Sequence, residues 1–315
     1  AADDGTHGNE LWKSDGTEAG TVMLRDINSG FYHSNPGTII VVGDTLYFSA
    51  MAGNYGFELW KSDGRDSGTM MVKDINSGSD SSSPMHLTAF DNNLYFQADD
   101  GTHGKELWKS DGTSSGTVML KNINEKVVDG ETDASSTPHS GTSRYSFAVI
   151  GNIFYFIAED AGEYHVELWK SDGTANGTVI VKDINIFSGD SDPSYLTPVG
   201  DTLYFSADDD VSEIELWKSD GTTNGTVLAA DIHDYGGGNC CSSYPREMTL
   251  VGNTLFFTAQ NDTNGRELWA LDPQNVTLDT PPLKYTFDIK LQVLDQLYPI
   301  FPSEDSADLA IDEPM

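Results

Sequence analysis

The sequence predicts an all-β fold, a β-propeller of six blades of four antiparallel strands, with the first blade incomplete at its N-terminal side. Three observations predict it. The motif ELWKSDGT at residues 10–17 returns in near-copies from 58, 106, 167 and 215, and in a degenerate copy from 267. The chain's six tryptophans all lie in these copies: Trp12, Trp60, Trp108, Trp169, Trp217 and Trp269, at intervals of 48, 48, 61, 48 and 52 residues. A fixed period of this length marks a repeat architecture. Third, each period resolves into short β-branched and aromatic segments bounded by Gly, Asp, Asn and Ser.

One period shows the elements in order. HLTAF (86–90) is a first strand, closed by the turn DNN. LYFQA (94–98) is a second, followed by the loop DDGTHGK. ELWKS (106–110) is a third, followed by DGTSSG. TVMLKNI (117–123) is a fourth, leading into a linker rich in Ser, Gly and Asn. Gly supplies the positive φ of tight turns, and Asp bonds back to the turn backbone. No stretch carries a capped 3.6-residue stripe; the tail near 304–312 is too short and acidic to count as one. The second strands are apolar on consecutive residues: LYF at 46–48, 94–96 and 203–205, FYF at 154–156, LFF at 255–257. A strand with one wet face should alternate, so these sheets are expected to be covered on both faces. Sheets stacked face to face around an axis make a propeller. A β-helix ranks second, and two sandwiches third, since they do not explain the uniform period.

Leu and Trp of each ELW are then expected to fill the seams between blades, with the indole N–H needing a partner. Trp to Ala at such a site should cost about 3–5 kcal/mol. The repeated Asp15, Asp63, Asp111, Asp172 and Asp220 read as turn residues first and ligands second.

The motif and its surroundings, as in GKELWKSDGTSSGTVMLKNI (104–123), resemble the repeat family named after its signature, Glu-Leu-Trp-x-x-Asp-Gly-Thr. The resemblance covers residues 2 to 272, and five of six copies keep the Asp-Gly pair. It implies propeller-like arrays in secreted or surface-attached proteins, and no catalytic residues. The second copy departs from it with Arg65 in place of Thr. The last reads ELWALDPQ, with Ala270 for Lys and Pro273 for the turn Gly, which marks the end of the array. Two insertions, 124–145 and 233–245, both fall in linkers between blades, where inserted loops commonly carry specific contacts.

Ala1 aligns with Gln97, inside a strand, so a longer parent chain is expected. The array is assigned to 1–275 and a C-terminal extension to 276–315. In the extension, YTFDIKLQV (285–293) alternates cleanly. That strand has three uses open to it: completing the last blade, which is preferred, starting a further domain, or pairing with the edge of another subunit.

Composition narrows the function. The chain has 315 residues, 37% hydrophobic and 10% aromatic, enough for a sizeable core. Its 50 Asp and Glu against 17 Lys and Arg leave a net charge of −33. Such a surface repels nucleic acid and anionic lipid and suits divalent cations, cationic partners or a salty medium; solubility alone also accounts for it. No apolar run approaches the roughly 20 residues of a membrane span. Cys240 and Cys241 are adjacent, which allows a vicinal or intermolecular disulfide or two free thiols. Asn176, Asn224, Asn261 and Asn275 head glycosylation sequons, two of them inside the repeated Gly-Thr turn.

Signatures of catalysis are missing: there is no Gly-x-Ser-x-Gly elbow, His-Glu-x-x-His or phosphate-binding loop. The seven histidines are scattered, and Tyr55 stands where His7 and His103 occur in neighbouring copies. Calcium is the expected cofactor if there is one, since hard cations take several oxygens. The segments GDSDPS, DDD and DGETD supply them, with Asp190, Asp192, Asp208, Asp209 and Asp210 as candidate ligands. The reading is a non-catalytic extracellular or cell-surface interaction module, a subunit of a larger or filamentous assembly, with other proteins or its own copies as partners. A lectin with aromatic pockets near Tyr55 or Tyr164 is one alternative. A hydrolase or lyase with a carboxylate site in the central channel is another.

Overall fold

The computed structural model describes residues 1–123, 147–159, 166–186, 189–233, 242–261 and 265–273. These form six antiparallel sheets in chain order. The first holds β1 (Ala2–Asp3), β2 (Asn9–Lys13) and β3 (Val22–Arg25). The second holds β4 (Gly37–Val42), β5 (Thr45–Met51), β6 (Phe57–Ser62) and β7 (Met70–Lys73). The third holds β8 (Met85–Phe90), β9 (Asn93–Asp99), β10 (Lys105–Ser110) and β11 (Val118–Lys121). The fourth holds β12 (Phe147–Ile150), β13 (Ile153–Glu159), β14 (Val166–Ser171) and β15 (Val179–Lys182). The fifth holds β16 (Ser194–Val199), β17 (Thr202–Asp208), β18 (Ile214–Ser219) and β19 (Val227–Ala230). The sixth holds β20 (Arg246–Val251), β21 (Thr254–Asn261) and β22 (Gly265–Leu271).

Every strand pairs with its sequence neighbour, and the first strands of successive sheets, from β4 to β20, lie side by side. Those first strands are therefore the inner edge of each blade, and the chain is a β-propeller. The compact unit that contains the array runs Ala1–Leu283. The expected strand at 285–293 and the acidic tail lie outside the described residues. No described helix is long and apolar enough to cross a membrane.

The core is five seam clusters rather than one centre. Each joins one blade to the next, as Tyr47, Leu59, Val72 and Ile75 of the second meet Leu87, Leu94, Phe96 and Trp108 of the third. The consecutive apolar residues thereby divide. In Leu94-Tyr95-Phe96 the outer two face the preceding blade, and Tyr95 faces the following one against Phe154 and Trp169. In each ELW, Leu faces forward and Trp backward. The expected partner for the indole N–H is present at Trp269, which donates to Ala259 O at 3.1 Å. At Trp12, Trp60, Trp108, Trp169 and Trp217 the buried indole nitrogen meets no acceptor. Ring burial outweighs that loss, helped by Lys73, Lys121 and Lys182 stacked over Trp108, Trp169 and Trp217 at 5.4–5.7 Å.

The sixth blade breaks the pattern. Leu268 is 62% exposed, whereas its counterparts Leu11, Leu59, Leu107, Leu168 and Leu216 are buried. Among the described residues, none covers the forward face around Leu268 as a neighbouring blade covers it elsewhere.

Candidate functional site

Antiparallel meanders put the two kinds of connection at opposite ends of each blade. The first-to-second and third-to-fourth turns share one end. The second-to-third loops and the blade-to-blade linkers share the other.

The turn end is built the same way in each complete motif. Asp111 Oδ1 accepts from Thr113 N–H at 2.8 Å and from Thr113 Oγ1 at 2.7 Å. Thr113 Oγ1 in turn accepts from Gly116 N–H at 2.9 Å. Ser110 and Thr117 hydroxyls meet at 2.7 Å beneath. Asp15, Asp172 and Asp220 do the same. Asp63 takes Arg65 N–H instead, because Arg65 replaces the Thr. The Thr donors hold Asp15, Asp111, Asp172 and Asp220 below the usual carboxylate range. Gly112 has φ +86°, and a side chain there would meet Tyr47 of the preceding blade, so only glycine serves both turn and seam.

Lysines lock these turns to the blade before. Lys13, Lys61, Lys109 and Lys170 donate to Gly64 O, Gly112 O, Gly173 O and Gly221 O. Arg25, Lys73, Lys121 and Lys182 donate to Thr69 O, Thr117 O, Thr178 O and Thr226 O. Asn176 and Asn224 sit exposed on this end, while the Thr178 and Thr226 of their sequons are buried in the turn. Asn261 ends β21, and Asn275, Cys240 and Cys241 lie outside the described residues.

At the loop end the buried Glu of the first five ELW copies is the organising group, a role not assigned from the sequence, whereas Glu267 of the sixth is exposed. Glu58 is fully buried and accepts from Ile75 N–H, Ser82 N–H and Ser82 Oγ at 2.6–2.9 Å. Glu10, Glu167 and Glu215 bind Ser34, Ser191 and Ser243 in the same way. The serine carbonyl then accepts from the next blade, as Ser82 O does from Asp99 N–H at 2.9 Å. Each Glu thus ties a blade to the linker that leaves it. Burial raises Glu58, and pushes Glu167 and Glu215 up to about 7. The legible signal was the spacing: the Ser follows the Glu by 24 residues in three copies and by 28 in the fifth.

Three of the five candidate metal ligands, Asp190, Asp208 and Asp209, accept backbone N–H bonds. Asp190 Oδ1 accepts from Val166 N–H at 2.8 Å, the same capping task that His33, Ser81 and Ser242 perform in other linkers. Asp208 accepts from Asp210 N–H, and Asp209 from Val211 and Ser212 N–H. Asp192 holds a turn position with φ 41°. Asp208 N–H does reach Ser191 O, so the two segments are neighbours. Among the described residues no three or more His, Cys, Asp or Glu are grouped to hold a metal. Burial, then the charges of Asp209 and Asp210, raise Asp208.

What varies at this end is the loop content. In the first and third blades an Asp–His pair closes the loop: Asp4 with His7, and Asp100 with His103, each at 2.8 Å. The Asp4 hydrogen bond raises His7. In the second blade Ala52 and Tyr55 take those positions. The loop end also exposes Phe31, Tyr32, Tyr55, Ile186 and Val211. Its described loops and linkers carry Asp4, Asp26, Asp74, Asp80, Asp100, Asp183, Asp190, Asp192, Asp209, Asp210, Glu213 and Asp231, and no Lys or Arg. The first strands begin here too, and those of the second, third, fifth and sixth blades start on a bulge after Pro36, Pro84, Pro193 and Pro245, with Thr38, His86, Tyr195 and Glu247 at φ 50–57°. The backbone of that bulge is constant in these four blades and its side chain is different in each.

No family model matches this chain, and no curated protein matches it. Among solved structures, it is similar to a puromycin hydrolase (S511A mutant complexed with PGG) at 13% identity and a TM-score of 0.46, over 78% of this chain and 37% of that one. It is similar to TolB from Acinetobacter baumannii at 15% and 0.39, over 74% and 52%. It is similar to prolyl oligopeptidase B from Galerina marginata at 12% and 0.44, over 76% and 35%. The match spans from 35% to 52% of the length of these three proteins.

Proposed function

We propose that the chain is a member of the Glu-Leu-Trp-x-x-Asp-Gly-Thr repeat family and acts as a non-catalytic interaction module outside the cell or on its surface. One observation carries this reading: the constant residues serve the turns and seams, and the side chains that differ from blade to blade are gathered at the loop end. A scaffold that holds one end fixed and varies the other is suited to presenting contacts to a protein partner. Glu10, Glu58, Glu167 and Glu215 each accept from a serine hydroxyl and a backbone N–H of a linker, which favours a structural task for them over a channel site. The open forward face around Leu268 supports a further role as a subunit of a larger assembly.

The test is photo-cross-linking of the full chain. A cross-linker at Ser29 or Ser79, on the loop end, should capture a surface or secreted protein of the source cells. The same group at Glu18 or Ser114, on the turn end, should not. Equal capture from both ends, or none from either, would remove the module reading.

A further inference from the structure

We infer that the junction of the first and second blades is a docking site for a basic polypeptide segment that carries apolar side chains between its lysines or arginines. The inference rests on the module reading above and names the partner's chemistry. Two linkers share one hydrogen-bonded frame. In the first, Asp26 Oδ2 accepts from Gly30 N–H, Asn28 Nδ2 donates to His33 O, and His33 Nδ1 accepts from Asn9 N–H, at 2.8–3.2 Å. In the second, Asp74 with Gly78, Asn76 with Ser81 O, and Ser81 Oγ with Phe57 N–H repeat it at 2.9–3.3 Å. Between the shared anchors the second linker has Ser79-Asp80 and the first has Phe31-Tyr32. The frame therefore does not need the aromatic pair, yet Phe31 is 78% and Tyr32 71% exposed.

The same junction carries a third departure. Gly53 N–H donates to Asn28 Oδ1 at 3.0 Å, joining this linker to the loop where Tyr55, 47% exposed, replaces the histidine of the neighbouring copies. Three exposed aromatics on anchored backbone fit the rigid anchors of protein interfaces, which lose little entropy on binding. Charge selects the occupant. The loops around the patch hold carboxylates and no lysine or arginine, within a chain of net charge −33. Lysine and arginine side chains gain both from ring faces and from the acidic field, which also speeds encounter.

The probe is a fluorescein-labelled peptide of Lys-Leu-Lys-Ala repeats, read by anisotropy on the full chain. Oligolysine of equal charge and a neutral oligosaccharide serve as comparisons. The double variant F31S/Y32D copies the next linker, so its melting temperature should be unchanged while peptide affinity falls at least about tenfold. Y55H, which copies the adjacent loops, should weaken binding in the same direction and keeps the test alive if the first variant misfolds. Unchanged affinity in both variants, equal binding of oligolysine, or oligosaccharide binding that the variants abolish would each overturn the proposal. If the peptide fails while loop-end cross-linking succeeds, the patch is wrong and the module reading stands.

Discussion

Glu167 and Glu215 show how a single residue couples packing to pH. Burial lifts each to about 7 from the ordinary 4.5, against the pull of serine and backbone donors. A folded-state value above the unfolded one means that the fold retains the proton between those limits. The stabilisation from the protonated form is complete below about 4.5 and is lost as pH rises through about 7. The chain should therefore melt at a higher temperature at pH 5 than at pH 8, with a gain in stability of roughly 1–3 kcal/mol for each site. Glutamine mimics the protonated acid and cannot ionise, so E167Q/E215Q should flatten this dependence in thermal scans from pH 4.5 to pH 8.5. A melting temperature that rises with pH in the parent chain would show that the donors keep these groups ionised. The residue identities were plain in the sequence. Their burial was not, because each donor set comes from residues 17 and 24–28 positions away.

At the scale of the element, the turn after each ELW strand is a closed unit. A Cβ on Gly116 would overlap the Asp111 carboxylate, and Asp111 is held by Thr113. D111A should cost about 1 kcal/mol, the usual net worth of such bonds. G116A should cost more, since backbone or carboxylate must move. The double variant should cost less than the sum, with a coupling of at least about 0.5 kcal/mol, because removing the carboxylate makes room for the methyl. Urea denaturation of the four proteins measures it; strict additivity would mean that the two groups are independent. This element was largely legible beforehand, since Ser, Asp, Gly and Thr within a few residues carry their own turn chemistry. The linkers were less so. Asp190 looked like a cation ligand from its acidic neighbours, and the fold makes it a cap for Val166 N–H.

For the whole molecule, charge and architecture are at odds. Eight of the 17 basic side chains donate to carbonyls across seams, which leaves the 50 acidic groups largely to repel one another. Raising sodium chloride from about 0.01 M to about 1 M shortens the Debye length from about 30 to about 3 Å. The melting temperature should then rise by several degrees, as measured by calorimetry at constant pH. A fall would show that favourable ion pairs outweigh the repulsion.

The period, the strand positions, the turn ends and the need for cover on both faces of each sheet are legible in the order of the amino acids. Those properties depend on propensity, hydrophobic pattern and turn chemistry among residues close in the chain. The folded chain reveals that Leu faces the next blade and Trp the previous one, and that Lys guards a neighbour's turn. It alone showed that Glu holds the linker and that the varied aromatics share one end with the acidic loops. Each of these depends on which residues meet across a seam or at a linker, some 17 to 64 positions apart, and that is set by how the blades and their connections pack.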